Sequence, residues 1–162
     1  MSATLALLLS LPPCYAERND PARVEHVTMI ASAIDAAAPE RERDRAALVT
    51  IAWFESALCW SVATGKVKGG DGAGPWQIEP GSHRPGPYVG DSLPALTHAA
   101  RQAEWLWTHS WQCGPSARAR FVAYAGLDCA RGRQWLGAAR REQFLFFATN
   151  RLQQLAQVAK AK

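Results

Sequence analysis

No cysteine pair in this chain is spaced CxxC, and no cysteine and histidine stand at paired metal-ligand spacing, which argues against a zinc site. No apolar stretch reaches about 18 residues, the length a membrane-crossing helix needs. Lys and Arg are scattered, never clustered with interleaved aromatics, which argues against a nucleic-acid partner. There is no internal repeat and no low-complexity tract. Near the N-terminus, no Lys or Arg precedes the apolar run of "MSATLALLLSLPPCYAERND", although a secretory signal normally has one.

What remains is a chain of 162 residues, enough for one domain with a real core. Hydrophobic residues make up 48% and charged residues 20%, the balance of a folded domain rather than a disordered one. The net charge of +4 suits an anionic partner without choosing between cell wall, nucleic acid and membrane surface. Seven Trp is high for this length, and some of those rings are expected to line a groove. Residues 1–20 have two readings. One is a cleaved signal ending at the small-residue site "CYA"; the other is an apolar first helix packed on the core.

Four cysteines stand at Cys14, Cys59, Cys113 and Cys129. An even count fits two disulfides in any of three connectivities. Cys113 with Cys129 closes a short loop and is the first expected pair, and Cys14 with Cys59 follows. The alternative is four buried free thiols.

The pattern is mostly helical. Asp20 and Pro21 make a helix start, with Val24, Val27, Ile30, Ala31 and Ile34 marking one face. Asp44 is an expected cap for the next helix, while "RERDR" reads as a solvated connection. Ser92 and Pro94 open a helix carried by Leu96, Ala99, Ala103, Leu106 and Trp107. Gly114 and Pro115 end it, a short helix runs to Tyr124, and residues 135–158 read as one or two more. Residues 61–92 differ: they hold eight of the 12 Gly. This is a loop, with a short hairpin expected around "KVKGGDGAGPWQI". At about 30 residues it is far longer than an ordinary connection, and such loops are usually functional.

Just before that loop stands Glu55, in "TIAWFESALCW", the only charge between Arg45 and Lys66. On a helix its one-turn neighbours are Ile51, Ala52, Leu58 and Cys59, so it sits on the face used for the core. A buried charge without a partner is costly. One resolution is a functional carboxyl. The other is an ion pair, with an Arg of the last helices as partner.

Three pieces then fall in order: Glu55-Ser56, Gly74-Pro75-Trp76-Gln77-Ile78, and Ala123-Tyr124-Ala125-Gly126. Together they resemble the lysozyme-like superfamily, most closely its lytic transglycosylase branch, over about residues 45–150; goose-type lysozymes are a neighbouring branch. Two departures stand out. Pro75 replaces an aliphatic residue, and the tyrosine motif is one residue short, lacking an Asn that helps hold substrate in relatives. The resemblance implies a mainly α (α+β) domain over residues 21–162, with a small β-hairpin or long loop lining a substrate groove. It implies cleavage of the MurNAc–GlcNAc linkage of peptidoglycan with Glu55 as general acid then base. Ser56 would orient Glu55 or the sugar, and Gln77 would bond substrate from a strand edge. Tyr124 would bring its hydroxyl near the acid, and Gly74, Trp76 and Ile78 would complete the site, Trp76 as a groove aromatic. An apolar pocket built from Ile51, Leu58 and one of Trp53, Trp60 or Trp76 would keep the acid protonated.

A lytic transglycosylase needs one acid/base, whereas a hydrolase often adds a second carboxylate, for which Asp71 is the candidate. A turn in "GGDG" equally explains Asp71. No metal or cofactor is called for. The expected partner is the glycan strand, met by a monomer outside the cytoplasm or on a virion. A non-catalytic wall-binding or phage structural module is the rival from another class. His83 reads as a solvated loop residue, and Trp107 with Trp111, four apart, as core.

Overall fold

The computed structural model describes residues 1–67, 72–79, 88–132 and 134–161. Eight helices appear among these residues: α1 (Ala3–Ser10), α2 (Arg23–Ala37), α3 (Glu42–Ser56), α4 (Trp60–Ala63), α5 (Leu93–His109), α6 (Ala117–Tyr124), α7 (Cys129–Gly132) and α8 (Leu136–Lys160). A single 3-10 turn spans Tyr15–Glu17. The fold is mainly helical, as expected.

Local chemistry explains several boundaries. Ser2, Ser92 and Ser116 each turn a hydroxyl back onto a first-turn backbone N–H, of Leu5, Ala95 and Ala119, satisfying donors the helix leaves unpaired. Pro94 lies in the first turn of α5, where its missing N–H costs nothing. The Asp20 carboxylate accepts from the Ala22 amide at the entry to α2, but Val24 faces outward at 58% exposure and is not part of the apolar face. Asp44 is no cap. α3 starts two residues earlier, so Asp44 falls in its first turn and pairs with Arg41 at 3.2 Å. Arg41 also donates to Glu104 of α5 at 2.6 Å, so "RERDR" is tied to its surroundings rather than only solvated.

The core forms where α2 packs on α5, α3 on α8, and α1 on both α2 and α8. Leu7 and Leu8 of α1 are fully buried, each contributing about 2 kcal/mol of transfer free energy. Thr4 hydrogen-bonds the Asp35 carboxylate of α2. The N-terminal segment therefore packs as a first helix. Residues 136–160 form one helix rather than two. Its apolar stripe carries Ala138, Leu145, Ala148 and Leu152, with Arg141 at the position where another apolar residue would stand.

Both expected disulfides are present, Cys14–Cys59 and Cys113–Cys129, and no cysteine is free. The expected hairpin is represented by one antiparallel bridge, Ala73 with Ile78, closed by the turn between them. The rest of that segment, with Asp71 and His83, lies outside the described residues. No described helix is long and apolar enough to cross a membrane.

Candidate functional site

Glu55 is the penultimate residue of α3, and the chain turns sharply behind it. Ala57 (φ 50°) and Leu58 (φ 58°) are both left-handed, a conformation costing about 1–2 kcal/mol per non-glycine residue. Several contacts hold the turn. The Ser56 hydroxyl donates to the Ala52 carbonyl at 2.8 Å and accepts the Leu58 amide at 3.2 Å. The Leu58 side chain is buried, and Cys59 is bonded to Cys14. Ser56 is thus occupied with the helix end. Among the described residues, both hydrogen bonds of its hydroxyl go to backbone and neither goes to Glu55.

The Glu55 carboxylate receives one hydrogen bond among the described residues, from Arg141 of α8 at 2.7 Å to Oε1. The two side chains retain 22% and 11% of their exposure. Arg141 lies over the rings of Phe54 and Trp135, at 4.9 and 4.6 Å from their centroids, and reaches the Gly137 carbonyl at 3.4 Å. Phe144 extends this aromatic face, edge-on to Phe54 at 5.7 Å and parallel to Trp53 at 6.5 Å. The surroundings of Glu55 therefore differ from the expected apolar pocket. A guanidinium sits against the carboxylate. Of the rings expected there, Trp76 is buried in the core and Trp60 stacks on His26 at 4.2 Å.

The second motif is a turn rather than a strand. Gly72 and Gly74 are required by close approach: a Cβ on Gly72 would lie 2.3 Å from the Gln77 carbonyl oxygen, and one on Gly74 would lie 1.8 Å from that of Tyr88. Gly74 also has φ 73°, open to glycine at no steric cost. Trp76 is no groove aromatic. It is fully buried, and its indole N–H donates to the Leu48 carbonyl of α3 at 3.1 Å. Ile78 is buried beside it, and Gln77 donates its amide to the Gly74 carbonyl at 2.9 Å, closing the turn instead of standing at a strand edge.

The third motif meets the second directly. The Tyr124 hydroxyl, at the end of α6, donates to the Trp76 carbonyl at 2.8 Å. Burial, and after it the negative charge of Glu55, push that hydroxyl well above the ordinary tyrosine value. It stays a neutral donor under all ordinary conditions. Tyr124 thus feels Glu55 electrostatically while its hydrogen bond is spent on the Gly74–Ile78 turn. The structure joins Glu55, Trp76 and Tyr124 through α3 and this turn, and leaves Ser56 and Gln77 serving backbone.

Two residues important here were not singled out by number from the sequence. Arg141 carried a readable signal, since it interrupts the apolar stripe of α8 as Glu55 interrupts that of α3. Glu17 carried none. Its carboxylate takes the amides of Trp60 (2.7 Å) and Ser61 (2.8 Å) and the Ser61 hydroxyl (2.6 Å), capping α4 from 43 residues away. Cys14, Glu17 and Cys59 lie close together, but both sulfurs are in the disulfide and offer no thiolate to a metal. Trp111, expected in the core with Trp107, lies beyond the end of α5 and is 64% exposed, whereas Trp107 is buried.

This is a mainly helical, disulfide-bonded domain with a paired carboxylate at a helix end. No family model matches the chain, and no curated protein or solved structure is detectably similar to it.

Proposed function

We propose that this domain is a lysozyme-like glycosidase acting on peptidoglycan, a lytic transglycosylase with Glu55 as its acid and base. The observation supporting this reading is the convergence of three separated motifs: the Tyr124 hydroxyl bonds the Trp76 backbone and is acted on by the Glu55 charge. In the reaction, Glu55 donates a proton to the glycosidic oxygen and the bond to C1 of the muramoyl residue breaks, its electron pair going to that oxygen. The muramoyl C6 hydroxyl adds to C1, and its proton returns to Glu55. The products are a 1,6-anhydro end and a free 4-hydroxyl, with no water consumed.

Two disulfides fit a chain that works outside the reducing cytoplasm, where peptidoglycan lies, and the net positive charge suits an anionic wall. The chain would act as a monomer on glycan strands. The Glu55–Arg141 pair also favours a second reading, a wall-binding module in which the pair only joins α3 to α8.

Mass spectrometry of the products from isolated peptidoglycan separates these readings. Muropeptides with 1,6-anhydro ends, absent with Glu55→Gln, are the expected outcome. Reducing ends, heavier by one water, would replace the transglycosylase with a hydrolase and turn attention to Asp71. No products from wall that a known lysozyme digests would leave the binding module.

A further inference from the structure

The Arg141 guanidinium is held more elaborately than an ion pair requires. It is 9% exposed, lies over two aromatic rings, and makes two described hydrogen bonds, to Glu55 Oε1 and the Gly137 carbonyl. A guanidinium has five N–H donors in a rigid plane, suited to taking a carboxylate with two parallel bonds. Rings at 4.6 and 4.9 Å restrict that plane without using its donors. Glu55 meets it through one oxygen only. The arrangement is a preformed carboxylate receptor whose present occupant is the residue proposed to do the chemistry.

We infer that Arg141 is a specificity residue that receives a carboxylate of the glycan substrate and, in doing so, releases Glu55 to act as an acid. The inference rests on the proposed glycosidase reading. A general acid passes its proton from a carboxyl oxygen, and Arg141 engages one of the two that Glu55 has. A substrate carboxylate on Arg141 takes over that bond and frees the oxygen. Glu55 then takes a proton from solvent and passes it to the glycosidic oxygen. Strands that carry a carboxylate near the scissile bond are turned over, while neutral strands leave the pair closed. The lactyl group on strands stripped of peptide and the acidic residues of attached stem peptides present the same chemistry.

Two measurements test this, one independent of catalysis. In the first, NMR titration compares N-acetylmuramic acid with N-acetylglucosamine, which lacks the lactyl carboxylate. Glu55→Gln removes the competing charge and should bind N-acetylmuramic acid at least about tenfold more tightly than N-acetylglucosamine, a difference of ~1.4 kcal/mol. Adding Arg141→Met should abolish the preference. Arg141→Lys, which keeps the charge and loses the fork, should retain only part of it. Equal affinity for the two sugars, or a preference surviving Arg141→Met, overturns the inference.

In the second, stripped strands and peptide-bearing strands are each compared with their methylamidated forms. The unaltered chain should lose at least about tenfold in kcat/KM on the amidated form of whichever strand supplies the carboxylate, and Arg141→Met should show no such loss. The affected strand identifies the source. Cleavage indifferent to amidation overturns the inference and leaves the glycosidase standing. A sugar preference without cleavage of any strand removes the glycosidase and leaves the receptor standing.

Discussion

Glu17 and Glu55 flank the same strained turn at Ala57–Leu58, and they are held in opposite ways. Glu17 takes three hydrogen bonds on two oxygens, all from residues Trp60 and Ser61 at the start of α4. Glu55 takes one, from a side chain on a different helix, and Oε2 has no hydrogen bond among the described residues. Burial works to raise the Glu17 carboxyl, but the hydrogen bonds from Ser61 and Trp60 outweigh it and hold Glu17 below the ordinary value. A carboxylate filled by two backbone amides and a hydroxyl is favoured as an anion and serves the fold. A carboxylate with one described side-chain partner can exchange that partner, and the proposed role of Glu55 depends on this.

The comparison is broken most severely at Glu55 itself. Glu55→Gln should reduce peptidoglycan cleavage by roughly a thousandfold, the size of a general acid–base contribution. The amide keeps an acceptor for Arg141 but leaves its buried guanidinium without a counter-charge, so the unfolding free energy should also fall, by about 2–4 kcal/mol. Mass-spectrometric product yield and urea denaturation read the two effects separately. Cleavage that is little changed, as expected for Glu17→Gln, would move Glu55 into the class of Glu17.

On the Glu17 side, the largest effect should come from the covalent tie beside it. Replacing Cys14 and Cys59 by Ser opens a link across 45 residues, and loop entropy alone puts the cost near 4 kcal/mol. The same change at Cys113 and Cys129 opens a link across 16 residues and should cost about 3 kcal/mol. Denaturant midpoints of the two double variants check the order. Gly74→Ala comes next. The added methyl meets the Tyr88 carbonyl oxygen and the backbone is left-handed, so a loss of about 2–3 kcal/mol is expected in thermal unfolding.

Glu17→Gln should cost about 1–2 kcal/mol at neutral pH, from weaker bonds to α4, with little change in cleavage. The pH dependence sharpens this. Because the folded value of Glu17 is lowered, its contribution is complete above the ordinary glutamate range and is lost as pH falls through the folded value. Urea midpoints at pH 7 and pH 3 should therefore converge between the parent chain and the variant at the acid end. The smallest effect is expected from Tyr124→Phe. It strands one acceptor, the Trp76 carbonyl, and should cost about 1 kcal/mol with a modest loss of cleavage.

Much of this was legible along the chain because it depends on neighbours in sequence. Ser92 caps the helix it was expected to open. The errors share a cause. Trp76 was expected in a groove because it lies within a recognisable motif, but a motif does not say which way an indole turns. Its side chain is buried because α3 offers the Leu48 carbonyl at a point where the turn brings the ring inward. Asp44 fits the cap pattern, yet Arg41 ties the chain to Glu104 and the helix begins earlier. Trp107 and Trp111 share a helical spacing, but α5 ends between them.

By itself the sequence determined the helical class, the two cysteine pairings as expectations, and the anomaly of one charge on an apolar helix face. Periodicity, capping and loop closure are short-range properties, so they can be read without the fold. Tertiary structure alone decided what that charge meets. Glu55 and Arg141 are 86 residues apart and touch because α3 packs along α8. Each is a polar interruption of an apolar stripe, and burying the two stripes against each other leaves each charge the other as partner, since a charge removed from water must be compensated where it stands.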